Sequence, residues 1–189
     1  MKTKAIILII TGFIFVSFGL TLKFINSNNS KTVDNENKIT DPTLLQTETE
    51  NQKYFREFIE SKFNDKYFTI KTLSVDDNSN ANLQIKYNIK GNTGLFYVQT
   101  QWIEQTNNEF ITITNKEITN YQTYFQNNNT APFYKIVGIN GKPNEPELLY
   151  IIPVNKINTN KLLFKKIEQF KKEKIKSNFF FDTKEKILQ

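Results

Sequence analysis

The sequence predicts an α/β domain, a mixed β-sheet flanked by helices, carried behind an N-terminal transmembrane helix. Three observations lead there. Residues 5–22 are an uncharged apolar run. Apolar side chains recur at three- and four-residue spacing over 51–63 and 114–128, the period of amphipathic helices. Between and after those stretches stand short runs that either alternate apolar and polar residues or are apolar throughout, the two patterns of strands.

The apolar run is flanked by Lys2 and Lys4 before it and Lys23 after it. Eighteen residues at about 1.5 Å each span about 27 Å, close to a bilayer core. The exit through Lys23-Phe24-Ile25-Asn26-Ser27 offers no small-x-small cleavage site, which favours an uncleaved anchor over residues 1–25. Positive charge on the N-terminal flank favours an extracytoplasmic domain. Residues 26–50 are polar and short of large apolar groups, and read as a flexible stalk.

The domain proper, residues 51–189, starts with Tyr54, Phe55, Phe58, Ile59 and Phe63 on one helical stripe. Residues 67–73 alternate as a strand. Leu83, Ile85 and Tyr87 alternate with Gln84, Lys86 and Asn88, and a glycine-containing turn at 90–94 leads into the run 95–102, predicting a hairpin. Thr114 followed by Glu117 is a capping box, and it predicts a helix start. Residues 133–139 read as a buried strand, and 147–154, after a turn-rich loop, as the next strand. Leu162, Leu163, Ile167, Phe170 and Ile175 predict a helix over 159–176, and Phe179-Phe180-Phe181 a short edge strand. A helix between the hairpin and a later strand predicts a mixed sheet.

Composition excludes several chemistries. With no cysteine and no histidine there is no disulfide, no zinc site of the usual kind and no Ser-His or Cys-His nucleophile. Hydrolysis would need carboxylates, lysine and a hard cation. The net charge of +6 is concentrated at the ends: residues 161–189 hold nine lysines against four acids. The core therefore lacks the basic face that a nucleic-acid footprint requires.

Four segments taken together resemble a known family: Val98-Gln99-Thr100-Gln101-Trp102, Tyr121-Gln122-Thr123-Tyr124, Val137-Gly138-Ile139-Asn140-Gly141-Lys142-Pro143, and Glu147-Leu148-Leu149-Tyr150-Ile151-Ile152-Pro153. Their order and spacing are similar to the restriction-endonuclease-like (PD-(D/E)xK) superfamily, and to its small membrane-anchored members from AT-rich bacteria. The resemblance spans residues 52–182. It implies that an Asp and a Glu should hold a divalent cation beside a catalytic Lys. By position those places fall on Asn82, Gln99 and Gln101, all neutral. The resemblance thus implies a degenerate centre with no catalytic residue, no bound metal and no cofactor. Val-Gln-Thr-Gln-Trp is also what an ordinary half-solvated strand looks like.

With the hairpin centred near residue 92, Asn82 is expected opposite residue 102, so that Asn82, Gln99 and Gln101 share one pocket. Tyr121, Gln122 and Trp102 are the binding candidates beside it, although aromatics at that spacing equally suit a core. Gly138 and Gly141 are expected to serve the turn or a close approach. The expected function is a membrane-anchored, catalytically inactive nuclease-like domain that binds a protein partner, nucleic acid being disfavoured. The alternative is a nuclease or nucleic-acid binder using Asp76, Asp77 or Glu104. A further alternative is an unrelated α/β envelope domain.

Overall fold

Helix α1 (Glu50–Glu60) begins where Thr49 accepts a hydrogen bond from the Gln52 N–H, and it buries Phe55 and Ile59. The computed structural model describes residues 48–73, 80–127 and 130–189. The expected anchor 1–25, most of the stalk, Asp76 and Asp77 lie outside those residues. No helix among the described residues is long and apolar enough to cross a membrane.

Strands β1 (Phe68–Thr72), β2 (Leu83–Ile89) and β3 (Asn92–Ile103) form an antiparallel meander. A short strand β4 (Phe110–Thr112), not foreseen in the sequence, leads to helix α2 (Asn115–Gln126). The chain then returns as β5 (Phe133–Lys142), parallel to β3, and as β6 (Glu145–Pro153), antiparallel to β5. The sheet order is β1-β2-β3-β5-β6, so the expected mixed sheet is present.

The sheet separates two apolar cores. Phe55 and Ile59 of α1 pack with Leu83, Ile85, Phe96, Val98, Trp102 and Ile136 on one face. Tyr121 of α2 packs with Ile111, Ile113, Val137, Ile139, Tyr150 and Ile152 on the other. The alternation of β3 distributes its side chains between them, with Val98, Thr100 and Trp102 on the α1 face and Gln99 and Gln101 on the α2 face. Gly138 belongs to the α1 face, where a Cβ would meet the Phe55 ring at 2.3 Å. It serves a close approach inside a strand. Gly141, at φ 74°, serves the β5–β6 turn.

Two expectations are corrected. The hairpin is tighter than the glycine-containing run suggested: Ile89 pairs with Asn92 across Lys90-Gly91, both at positive φ (51° and 83°), as a primed turn demands. Leu83 therefore faces Val98, and Asn82 does not reach residue 102.

The helix expected over 159–176 is absent. Strand β7 (Lys161–Leu163) pairs with β4, and only Phe164–Ile167 (α3) is α-helical, followed by a single 3-10 turn. The apolar residues of this stretch serve different cores. Leu162, Ile167 and Phe170 join the α2-side cluster, whereas Ile175 packs on the α1 side. The chain crosses the β6 edge between them, where Lys171 bridges Tyr150 and the Lys172 N–H donates to the Leu149 carbonyl at 2.8 Å. One straight helix cannot line both sides of a sheet. The Phe179–Phe181 run ends in a separate small hairpin, β8 (Phe181–Asp182) with β9 (Ile187–Leu188).

Candidate functional site

At its C-terminal end β3 outruns β2, and its backbone groups there are satisfied by side-chain amides. Asn82 Oδ1 accepts from the Thr100 N–H at 3.0 Å, and its Nδ2 donates to Thr100 Oγ1 at 2.7 Å. Two residues on, Gln52 of α1 accepts from the Trp102 N–H at 2.9 Å and donates to the Trp102 carbonyl at 2.8 Å. An unpaired backbone group in such a place costs free energy, and these amides remove that cost. Asn82 is therefore engaged with Thr100 and does not join Gln99 and Gln101.

Gln99 and Gln101 do share a face, as expected from their two-residue spacing. Their environments differ. Gln101 Oε1 is buried with no hydrogen-bond partner among the described residues. The Gln99 oxygen is doubly engaged: Oε1 accepts from the Tyr121 hydroxyl and from Lys135 Nζ at 3.3 Å, and Nε2 donates to Glu117 Oε1 at 3.0 Å.

Glu117 and Lys135 were not among the residues singled out for this site. Parallel pairing sets Lys135 of β5 beside Gln99 of β3. Helix α2 begins above them, and its capping box aims the Glu117 carboxylate down at the sheet. Lys135 Nζ lies 2.8 Å from Glu117 Oε1, with 1 % of the lysine side chain and 17 % of the glutamate side chain exposed. The other oxygen, Oε2, accepts from the Thr114 N–H and hydroxyl, both at 2.9 Å.

Burial works to raise the Glu117 pKa, but the Lys135 charge and the hydrogen bonds from Lys135 and Thr114 hold the carboxyl below the usual range. Burial holds Lys135 below the usual lysine range, and Glu117 opposes that loss of charge. Tyr121 is pushed well above the usual phenol range by burial and by the Glu117 charge, so it acts here as a neutral donor. The sequence did contain a signal: Lys135 is a lone charge inside the apolar strand 133–139, and such a charge needs a partner.

Of the binding candidates, Tyr121 reaches this cluster. Gln122 points to solvent on the outside of α2. Trp102 lies on the opposite face, stacked obliquely on Phe55 at 5.6 Å between ring centroids, as a packing residue. Its indole Nε1 is buried without a partner among the described residues.

Each of the three oxygens of Gln99 and Glu117 accepts two hydrogen bonds within the cluster and its capping box. A polar cleft of about 630 Å³ lies at the ends of β3 and β5, lined by Glu104, Gln105, Asn140, Gly141 and Glu147. Another of about 1040 Å³ runs between α1, the β5–β6 turn and residues 173–177. Neither is lined by Asn82, Gln99, Gln101 or Tyr121. Among the described residues no three Asp or Glu side chains are grouped to hold a metal ion. The fold and the cluster define a mixed-sheet α/β domain with a closed, internally paired polar centre. No protein-family model matches the chain, and no curated protein matches it in sequence.

Proposed function

We propose that this chain is a membrane-anchored binding module, built on a restriction-endonuclease-like scaffold whose nuclease centre has been closed. The observation that carries the reading is that Gln99 Oε1, the atom a cation would need, already accepts two hydrogen bonds. At the position where the family resemblance asks for a metal-binding carboxylate stands an amide bonded to Tyr121, Lys135 and Glu117. A cation entering there would have to displace an ammonium from the single carboxylate of the cluster, and amide oxygens alone hold a hard dication poorly. The order α1-β1-β2-β3, then α2, then a β5 parallel to β3 agrees with the scaffold that the resemblance implies. The anchor rests on the apolar run 5–22. With a closed centre, the remaining function is recognition, and a protein partner suits a core without a basic face.

The test is an assay of the purified full chain on DNA and RNA with magnesium or manganese. No metal-dependent cleavage is expected. Cleavage that Glu117→Gln or Glu104→Gln abolishes would overturn the proposal and point to a working metal centre.

A further inference from the structure

The β8–β9 hairpin is fixed on one side and bare on the other. Its inner residues Phe179, Phe181 and Leu188 are buried. Phe181 stacks at 4.6 Å from Phe96 and 4.8 Å from Tyr87. Phe180 and Gln189 exchange both backbone hydrogen bonds, at 2.8 and 2.9 Å, and the Tyr134 hydroxyl donates to the Lys186 carbonyl, tying the hairpin to β5. The alternation that buries Phe181 and Leu188 turns Phe180 and Ile187 outward, 56 % and 50 % exposed.

The same stretch of chain is rich in lysine. Residues 171–189 contain six lysines against three acids. Asp182 is occupied in the hairpin turn, accepting from the Lys184 and Glu185 N–H groups at 2.8 and 2.9 Å. Lys62, Lys172, Lys174 and Lys186 have no carboxylate partner among the described residues. Lys172 lies over the Phe179 ring, and the Lys62 carbonyl accepts from the Phe179 N–H, so both border the hairpin. Burial, and secondarily the nearby Lys62 charge, hold Lys172 below the usual lysine range.

We propose that this hairpin face docks on an anionic lipid bilayer, with Phe180 and Ile187 entering the interface and the bordering lysines meeting the headgroups. Exposed apolar side chains within a lysine border are the combination that binds such a surface, each part adding to the other. A polyanion such as DNA would use the lysines and leave Ile187 without a role. The proposal rests on the membrane-anchored reading above: a chain tethered by residues 5–22 keeps this face at high local concentration beside the lipid.

The test uses the full chain carrying Phe180→Trp, reconstituted into vesicles of phosphatidylcholine, with or without phosphatidylglycerol, containing bromine-labelled lipid. Native Trp102, 5 % exposed in the core, provides a constant background. Quenching of the new tryptophan is expected only with the anionic lipid, and is expected to be lost in high salt, on Ile187→Ser, and on Lys174→Glu with Lys186→Glu. Both apolar positions face solvent, so these changes leave the core intact. Equal quenching in both vesicle types, or none in either, overturns the proposal. Binding of a labelled DNA duplex that the lysine changes abolish, with no quenching, overturns it in favour of nucleic acid. Flotation with the vesicles after a high-salt wash reads the anchor separately. If the chain fails to float, the anchor reading fails, and low-salt flotation with anionic vesicles decides the hairpin alone, binding supporting it and no binding overturning it.

Discussion

Lys135 Nζ sits 2.8 Å from Glu117 Oε1, in a place where the lysine side chain is almost wholly withdrawn from water. The pair ties the strand that follows the crossover to the helix that makes it, Gln99 bonds to both members, and the Tyr121 hydroxyl donates to Gln99.

Breaking the pair from either side leaves a buried charge alone. Lys135→Met and Glu117→Gln are each expected to lower unfolding stability by about 3–5 kcal/mol. The double variant is expected to lose much less than the sum, because no unpaired charge remains. Urea unfolding of the four proteins measures the coupling. Additive losses would show that the two groups do not depend on each other.

The pair also sets an acid limit. Glu117 is held below its ordinary pKa of 4.5 in the folded state. Its contribution is complete above the unfolded value and is lost as pH falls through the lowered folded value. The urea midpoint of the parent is expected to fall more steeply below pH 4.5 than that of the Lys135→Met, Glu117→Gln protein, which has no titrating group there. Parallel pH profiles would remove Glu117 from the acid response.

Gln99→Glu replaces the Nε2 donor, 3.0 Å from Glu117 Oε1, with a second carboxylate oxygen. Two carboxylates so placed cannot both ionise cheaply. A loss of about 1–3 kcal/mol is expected at neutral pH, narrowing as pH falls and one carboxyl protonates. Adding Asn82→Asp and Gln101→Lys is expected to create no magnesium affinity, since the Asn82 side chain is turned to Thr100. Calorimetric magnesium binding by the triple variant would contradict the closed-centre reading.

Gly138→Ala is expected to destabilise by about 1–3 kcal/mol through overpacking, because the new methyl meets a fully buried Phe55 ring. Pairing it with Phe55→Leu should recover part of the loss. If the single change is neutral on thermal unfolding, α1 and β5 are not in the contact described.

Gln52→Ala removes both hydrogen bonds to the Trp102 backbone and is expected to cost about 1–3 kcal/mol. Gln52→Glu keeps the acceptor for the N–H but faces the carbonyl with a carboxylate, and should recover little. Hydrogen exchange at the Trp102 amide reads this directly: unchanged protection in Gln52→Ala would show that the clamp is dispensable.

By itself the sequence determined the order of most elements. The local period of two or of 3.6, the Lys90-Gly91 turn, and the reciprocal bonds of Thr114 and Glu117 are decided among neighbours, and short-range chemistry is legible there. Residues 159–176 show where that ends. Their apolar spacing suits a helix, yet β4 offers Lys161–Leu163 a backbone partner and the β6 edge divides their apolar side chains between two cores. The site followed the same rule. Gln99 and Gln101 were visible as a pair on one face, because alternation is local. That Asn82 turns to Thr100, and that Lys135 finds Glu117, was decided by where β2 stops and by the parallel register of β3 and β5. The buried ammonium required a counter-charge, but only the crossover through α2 brought one within reach.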